Sequence, residues 1–240
     1  MSTMPLDDLL AALDHYVDPH RIPDFAPTGL QVRGAEAPTV TKVALGVSAN
    51  LALFRDATAW GAELVLTHHG MFWATEDPEL APARRFDEAR AAFLRERGMS
   101  LAAYHLPLDA HPEVGNNAEL ARLLGLEVAA FDFGDLPETA VKVGLTARAE
   151  PSVARDELVA RAERLVGGPV HLIPAGPETI HTVAIVSGGG TGELYVAIER
   201  GVDLYLTGEG REWAPAVARE AGINFLVIGH HASEVFGVQA

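Results

Sequence analysis

Six of the ten histidines fall in three short segments: Thr67-His68-His69-Gly70, Tyr104-His105-Leu106-Pro107-Leu108-Asp109-Ala110-His111 and Gly229-His230-His231-Ala232-Ser233-Glu234. Imidazole and carboxylate together are the ligand set of borderline divalent metals, namely zinc, iron, manganese, cobalt or nickel. Each segment follows an apolar run that reads as a buried strand. His68, His69, Asp109, His230 and Glu234 are therefore expected to converge on a metal site with room for two ions. In a regular strand His68 and His69 face opposite ways. Both serve one cluster only if the strand ends between them, and Gly70 supplies the freedom for that turn. Asp109 follows Pro107, which discourages continuation of a sheet. Its carboxylate either bridges two cations or caps the next segment. His230 and Glu234 stand at i, i+4 on a helix expected after Gly229. His105 either orients the cluster or carries protons, and His231 points elsewhere, as a supporting group or an acid–base.

The elements that must position these groups alternate between α and β. Residues 6–16 have helical spacing, with Leu9, Leu10, Leu13 and Tyr16 on one face. Strands are expected at 42–47, 63–67 and 99–104, with helices at 50–60 and from about 82 to 97. Asn116 precedes Glu119 in capping-box spacing, so a capped helix is expected at 116–124. The second half repeats the rhythm, with strands at 141–146, 169–173, 183–187, 204–206 and 225–228 and helices at 152–166, 194–200 and 213–221. Two βαβ-type lobes of similar architecture follow, residues 1–130 and 131–240, with a boundary within 131–137. This rhythm favours mainly parallel sheets, whose C-terminal strand ends are the usual place for ligands. All three histidine segments fall at such ends.

Composition narrows the function classes. A net charge of −15 with no basic stripe argues against binding nucleic acid through its phosphates. No apolar stretch approaches the length of a membrane span. The first residues lack the basic start and apolar run of a signal peptide, which fits a cytoplasmic setting. With no cysteine, disulfides and thiolate metal sites are excluded, and any metal must sit on nitrogen and oxygen. Cysteine-dependent zinc deaminase chemistry is excluded with them.

Other motifs are less specific. Ser187-Gly188-Gly189-Gly190-Thr191-Gly192 either cradles a phosphate or makes a tight strand-to-helix turn. Glu209 and Glu76 are possible further acids, each expected as a surface or capping carboxylate. Phe72 and Trp73 either pack or stack a ring-shaped substrate, with packing preferred. His171 and His181 are expected as satisfied core histidines rather than ligands.

The strings Gly29-Leu30-Gln31-Val32, His68-His69-Gly70 with Phe72-Trp73, His105-Leu106-Pro107-Leu108-Asp109, Gly115-Asn116-Asn117, Thr207-Gly208-Glu209 and Gly229-His230-His231-Ala232 with Glu234 resemble the Nif-three-like family, whose members are also called type-two GTP cyclohydrolase I homologues. The resemblance covers nearly the whole chain. It implies an α/β fold of two intertwined lobes, with a dinuclear metal centre in the cleft between them. The same five residues, His68, His69, Asp109, His230 and Glu234, match the family's ligand positions. It also implies a toroidal homohexamer. Thr28 stands where relatives carry Asn. Relatives continue after the last motif with a helix and a closing strand, so the helix carrying Glu234 is expected to be short.

These readings lead to a dinuclear metal-dependent hydrolase of a small, nucleotide-like substrate, with His105 and His231 as proton carriers. The competing expectation is a metal-binding scaffold, or a metal-handling ring without turnover. A vacant coordination position favours the first and a closed site the second.

Overall fold

The computed structural model describes residues 3–36, 38–73, 84–136 and 141–240. Glu76 and most of the stretch after Trp73 lie outside these residues, as does Pro137. Contacts divide the chain into two compact units, Met1–Leu108 and Asp109–Ala240. Each is a mixed α/β layer structure.

The first unit opens with a two-stranded antiparallel ribbon, β1 (Met4–Pro5) with β3 (Thr39–Val40). Its main sheet contains β2 (Gly29–Val32), β4 (Val43–Ser48), β5 (Leu64–His69) and β6 (Ser100–Ala103) in the order β2-β6-β5-β4. The three strands β4, β5 and β6 are parallel, and β2 adds an antiparallel edge. Asn50 starts the helix Leu51–Trp60 by accepting the Leu53 amide on its side chain at 3.0 Å, and Gly61 stops it in the left-handed conformation. Phe54 from this helix and Leu94 from the helix Arg84–Glu96 bury against Val65 and Leu101 of the sheet. Truncating Phe54 to Ala would cost about 3–5 kcal/mol.

The second unit is built on β7 (Glu127–Asp135), β8 (Lys142–Ala154), β9 (His171–Ile173), β10 (Thr179–Val186), β11 (Leu204–Thr207) and β12 (Asn224–Val227). Their order is β7-β8-β10-β11-β12-β9. Strands β10, β11 and β12 run parallel, while β7, β8 and β9 pair antiparallel around them. Ile185, Leu206 and Leu226 pack into a core on one face, and Ala184, Tyr205 and Phe225 into a core on the other. The period-two alternation of strands with both faces covered produces the unbroken apolar runs seen in the sequence.

The parallel character is thus confined to β4, β5 and β6 in the first sheet and to the inner strands β10, β11 and β12 in the second. Strand β7 fills residues 127–135 and so runs into the 131–137 stretch where the repeated rhythm suggests a boundary, and β8 extends through Glu150 and Pro151 to Ala154. Residues 152–154 are strand rather than the start of a helix, which begins at Arg155.

Candidate metal centre

In the first unit, β5 does not stop between the two histidines. It continues through His69, whose backbone pairs in register with Ser48. The rings nevertheless lie close, with centroids 4.6 Å apart. Gly70 acts through close approach rather than a left-handed turn: a Cβ there would collide with the side-chain amide of Gln31. That amide fills the place, accepting from the Met71 N–H and donating to Pro27 O.

His68 is fully buried, with Nδ1 3.2 Å from the carbonyl oxygen of Tyr104. A carbonyl only accepts, so Nδ1 carries the hydrogen and Nε2 the lone pair. His69 Nδ1 lies 3.1 Å from Ser48 Oγ. His105, just past β6, completes a group in which one ligand-type nitrogen from each ring lies within 4.8 Å of the others. Its Nδ1 donates to Asp24 Oδ1 at 3.0 Å, while the amides of Ala26 and Leu106 donate to the same carboxylate. Burial alone would raise the Asp24 carboxyl. The hydrogen bond and charge of His105, with the two amides, outweigh it and hold the group below its ordinary range. Asp24 carries no recognisable motif, and only the fold brings it to His105 across 81 positions. Trp73 and Phe25 flank the group, their ring centroids 5.0 and 5.2 Å from that of His105.

In the second unit, Asp109 ends the short helix Leu106–Asp109 and is buried. Its Oδ1 accepts from Asn116 Nδ2 at 2.8 Å and Ser187 Oγ at 3.1 Å, and its main-chain oxygen accepts from Asn117 Nδ2. Asn116 is therefore not the helix cap that its spacing suggests. Gly115 occupies that position, and the Asn116 amide spans Asp109 and the backbone N–H of Gly237. His111 closes a turn instead, its Nδ1 accepting the amides of Glu113 and Val114.

His230 opens a one-turn helix, His230–Ser233, directly after β12, and Glu234 follows it. The i, i+4 pair meets as expected, with Nε2 3.2 Å from Glu234 Oε1. Glu209 is the exposed acid expected, and it also binds His230 Nδ1 at 2.5 Å. It sits just beyond β11, the parallel neighbour of β12, and that adjacency is the signal that would have found it. The bond to Glu234 and then the charges of both carboxylates, against the opposing effect of partial burial, push His230 up to about 9. His231 is exposed, one helical step off the face that His230 and Glu234 share. His171 and His181 are exposed strand residues rather than the core histidines expected, each on the outward side of its strand's alternation.

Three strand ends crowd together here. Gly188, at φ +61°, would place a Cβ on top of Glu234 Oε1 and 3.1 Å from His230 Nε2. Gly208 would place one 2.6 Å from Ser233 Oγ and 2.7 Å from Gly188 O. The Gly188 amide is given to Ser233 Oγ at 2.9 Å, so the glycine run works as a close-packed turn rather than a phosphate cradle. The donors fit a metal ion in two respects. They are imidazole and carboxylate with no competing thiol, and Gly188 leaves the acids the space that a side chain would fill.

Fold and side chains define a two-unit α/β protein whose strand exits carry imidazole and carboxylate groups able to hold a metal ion. The sequence profile of the Duf34/NIF3 family (NGG1p interacting factor 3) matches residues 4–240, and the chain belongs to that family. A Pseudomonas aeruginosa protein called GTP cyclohydrolase 1 type 2 homolog is 43% identical over 235 residues, 98% of this chain and 90% of that one. A solved protein named ybgI, of unknown function, superimposes with a TM-score of 0.87 at 36% identity, covering 98% of this chain and 91% of its own. A Thermus thermophilus protein gives 0.81 at 35% identity, covering 98% and 90%. Among the described residues, no helix is long and apolar enough to cross a membrane.

Proposed function

We propose that His68, His69, Asp109, His230 and Glu234 hold two divalent cations and that the protein is a hydrolase of a small, nucleotide-like molecule. The observation that carries this reading is how the imidazoles are held. Nδ1 of His68, His69 and His230 faces, respectively, a carbonyl, a hydroxyl and a carboxylate. Such partners orient a histidine and leave Nε2 to act as the metal-binding nitrogen. Asp109 is steadied the same way by Asn116 and Ser187. When bound, the cations supply Lewis acidity and lower the pKa of water. His105, with Asp24 behind it, has the arrangement of an oriented proton carrier, and the exposed His231 is the second candidate for that role. The name of the Pseudomonas aeruginosa relative points to a purine nucleotide as the first substrate to try. A hexameric ring belongs to the same proposal and is read by light scattering.

The test is metal analysis of protein purified without added metal, followed by a hydrolysis screen of nucleotides and phosphoesters. Asp109→Ala is expected to lose metal and turnover together. Turnover that persists in metal-free protein overturns the proposal. Bound metal with no turnover against any substrate favours the scaffold reading instead.

A further inference from the structure

We propose that Phe25 and Trp73 form the seat for a planar heteroaromatic ring, the base of the substrate, beside His105. This rests on the hydrolase reading and adds where the ring lies and what recognises it. Phe25 is 59% exposed, yet it is no isolated surface aromatic. Its ring lies 5.6 Å from Trp73 at an interplanar angle of 37° and 5.2 Å from His105 at 79°. Trp73 in turn meets His105 at 75° and lies 5.8 Å from His69. The two aromatics thus make a continuous apolar floor running up to the imidazoles.

The floor is built rather than incidental. Trp73 is pinned by donating Nε1–H to the Gly70 carbonyl at 3.2 Å. The residue before it, Phe72, holds φ at +60°, with its amide given to Asp87 Oδ2. A bulky residue in the left-handed region is costly, and such strain gathers at sites where position matters. Among the described residues, the rings that Phe25 and Trp73 meet are each other and the imidazoles of His69 and His105, so the floor selects for a flat π face. Stacking of this kind tolerates different bases and rejects ligands that lack a ring. A ring seated there has its edge beside His105 and His69.

The test uses a Trp60→Phe, Trp213→Phe background, which leaves Trp73 as the sole fluorescent tryptophan. Its emission is followed during titration with guanosine and, separately, with ribose 5-phosphate, in metal-free and metal-loaded protein. Guanosine is expected to quench it and ribose 5-phosphate to leave it unchanged. Phe25→Leu keeps an apolar side chain but removes the π face. It should weaken guanosine binding about tenfold with metal content and circular dichroism unaltered. Emission indifferent to guanosine overturns the inference, as does equal affinity in Phe25→Leu. Protein that stacks guanosine but holds no metal defeats the hydrolase reading and leaves the ring seat standing.

Discussion

His230 donates its Nδ1–H to the Glu209 carboxylate at 2.5 Å while its Nε2 faces Glu234 at 3.2 Å. One acid therefore orients the ring and the other shares the ligand side. Glu209→Gln should keep the hydrogen bond but lose the charge, lowering metal affinity about 10–100-fold. Competition against a chromogenic chelator measures this. Unchanged affinity would reduce Glu209 to a surface contact.

Gly188→Ala asks a Cβ to share space with the Glu234 carboxylate and forces an L-residue to φ +61°. The backbone strain costs about 1–3 kcal/mol of stability, read by urea denaturation. Metal content should fall further than that loss of stability explains, because Glu234 must move.

In chelator-treated protein the two carboxylates raise His230 to about 9. A raised folded-state value means the stabilisation is fully present below the ordinary imidazole value and is lost as pH rises through about 9. Thermal melts from pH 6 to 10 should therefore show Tm falling from the ordinary imidazole value up to about pH 9 and levelling beyond it. His230→Gln should flatten the fall. A cation competes for the same nitrogen, so metal affinity should weaken as pH drops below about 9.

Asn116 joins Asp109 to the amide of Gly237, in the helix Val235–Gln239. Asn116→Ala takes one hydrogen bond from Asp109, which keeps that of Ser187, and strips the buried Gly237 amide of its acceptor, so it should destabilise the protein by about 1–3 kcal/mol. Hydrogen exchange would locate the loss: Gly237 and its neighbours should exchange faster than β11 or β12.

Much of this site is legible in the sequence because strand exits are. Apolar runs ending in His68-His69, Tyr104-His105 and Gly229-His230 announce both the strand and what it delivers. Other features depend on contacts that no local pattern encodes. Asp24 meets His105 and Glu209 meets His230 only after the sheets form, across 81 and 21 positions. Asn116 has the spacing of a helix cap, yet a buried carboxylate outcompetes that local role. Strand β7 escapes notice because most of it is exposed, which leaves no apolar alternation to read. Pro151 argues for a break, but β8 runs on past it, in a region where its pairing with β10 is irregular.

The crowding of Gly208 against Ser233 Oγ and the Gly188 carbonyl ties the chemistry to main-chain spacing more than to side-chain identity. In a saturation library over residues 187–190 and 207–209, positions 188 and 208 should return glycine almost alone. Retargeting such a centre by design would then have to begin from the imidazoles and acids, since the backbone frame beneath them has no slack to trade.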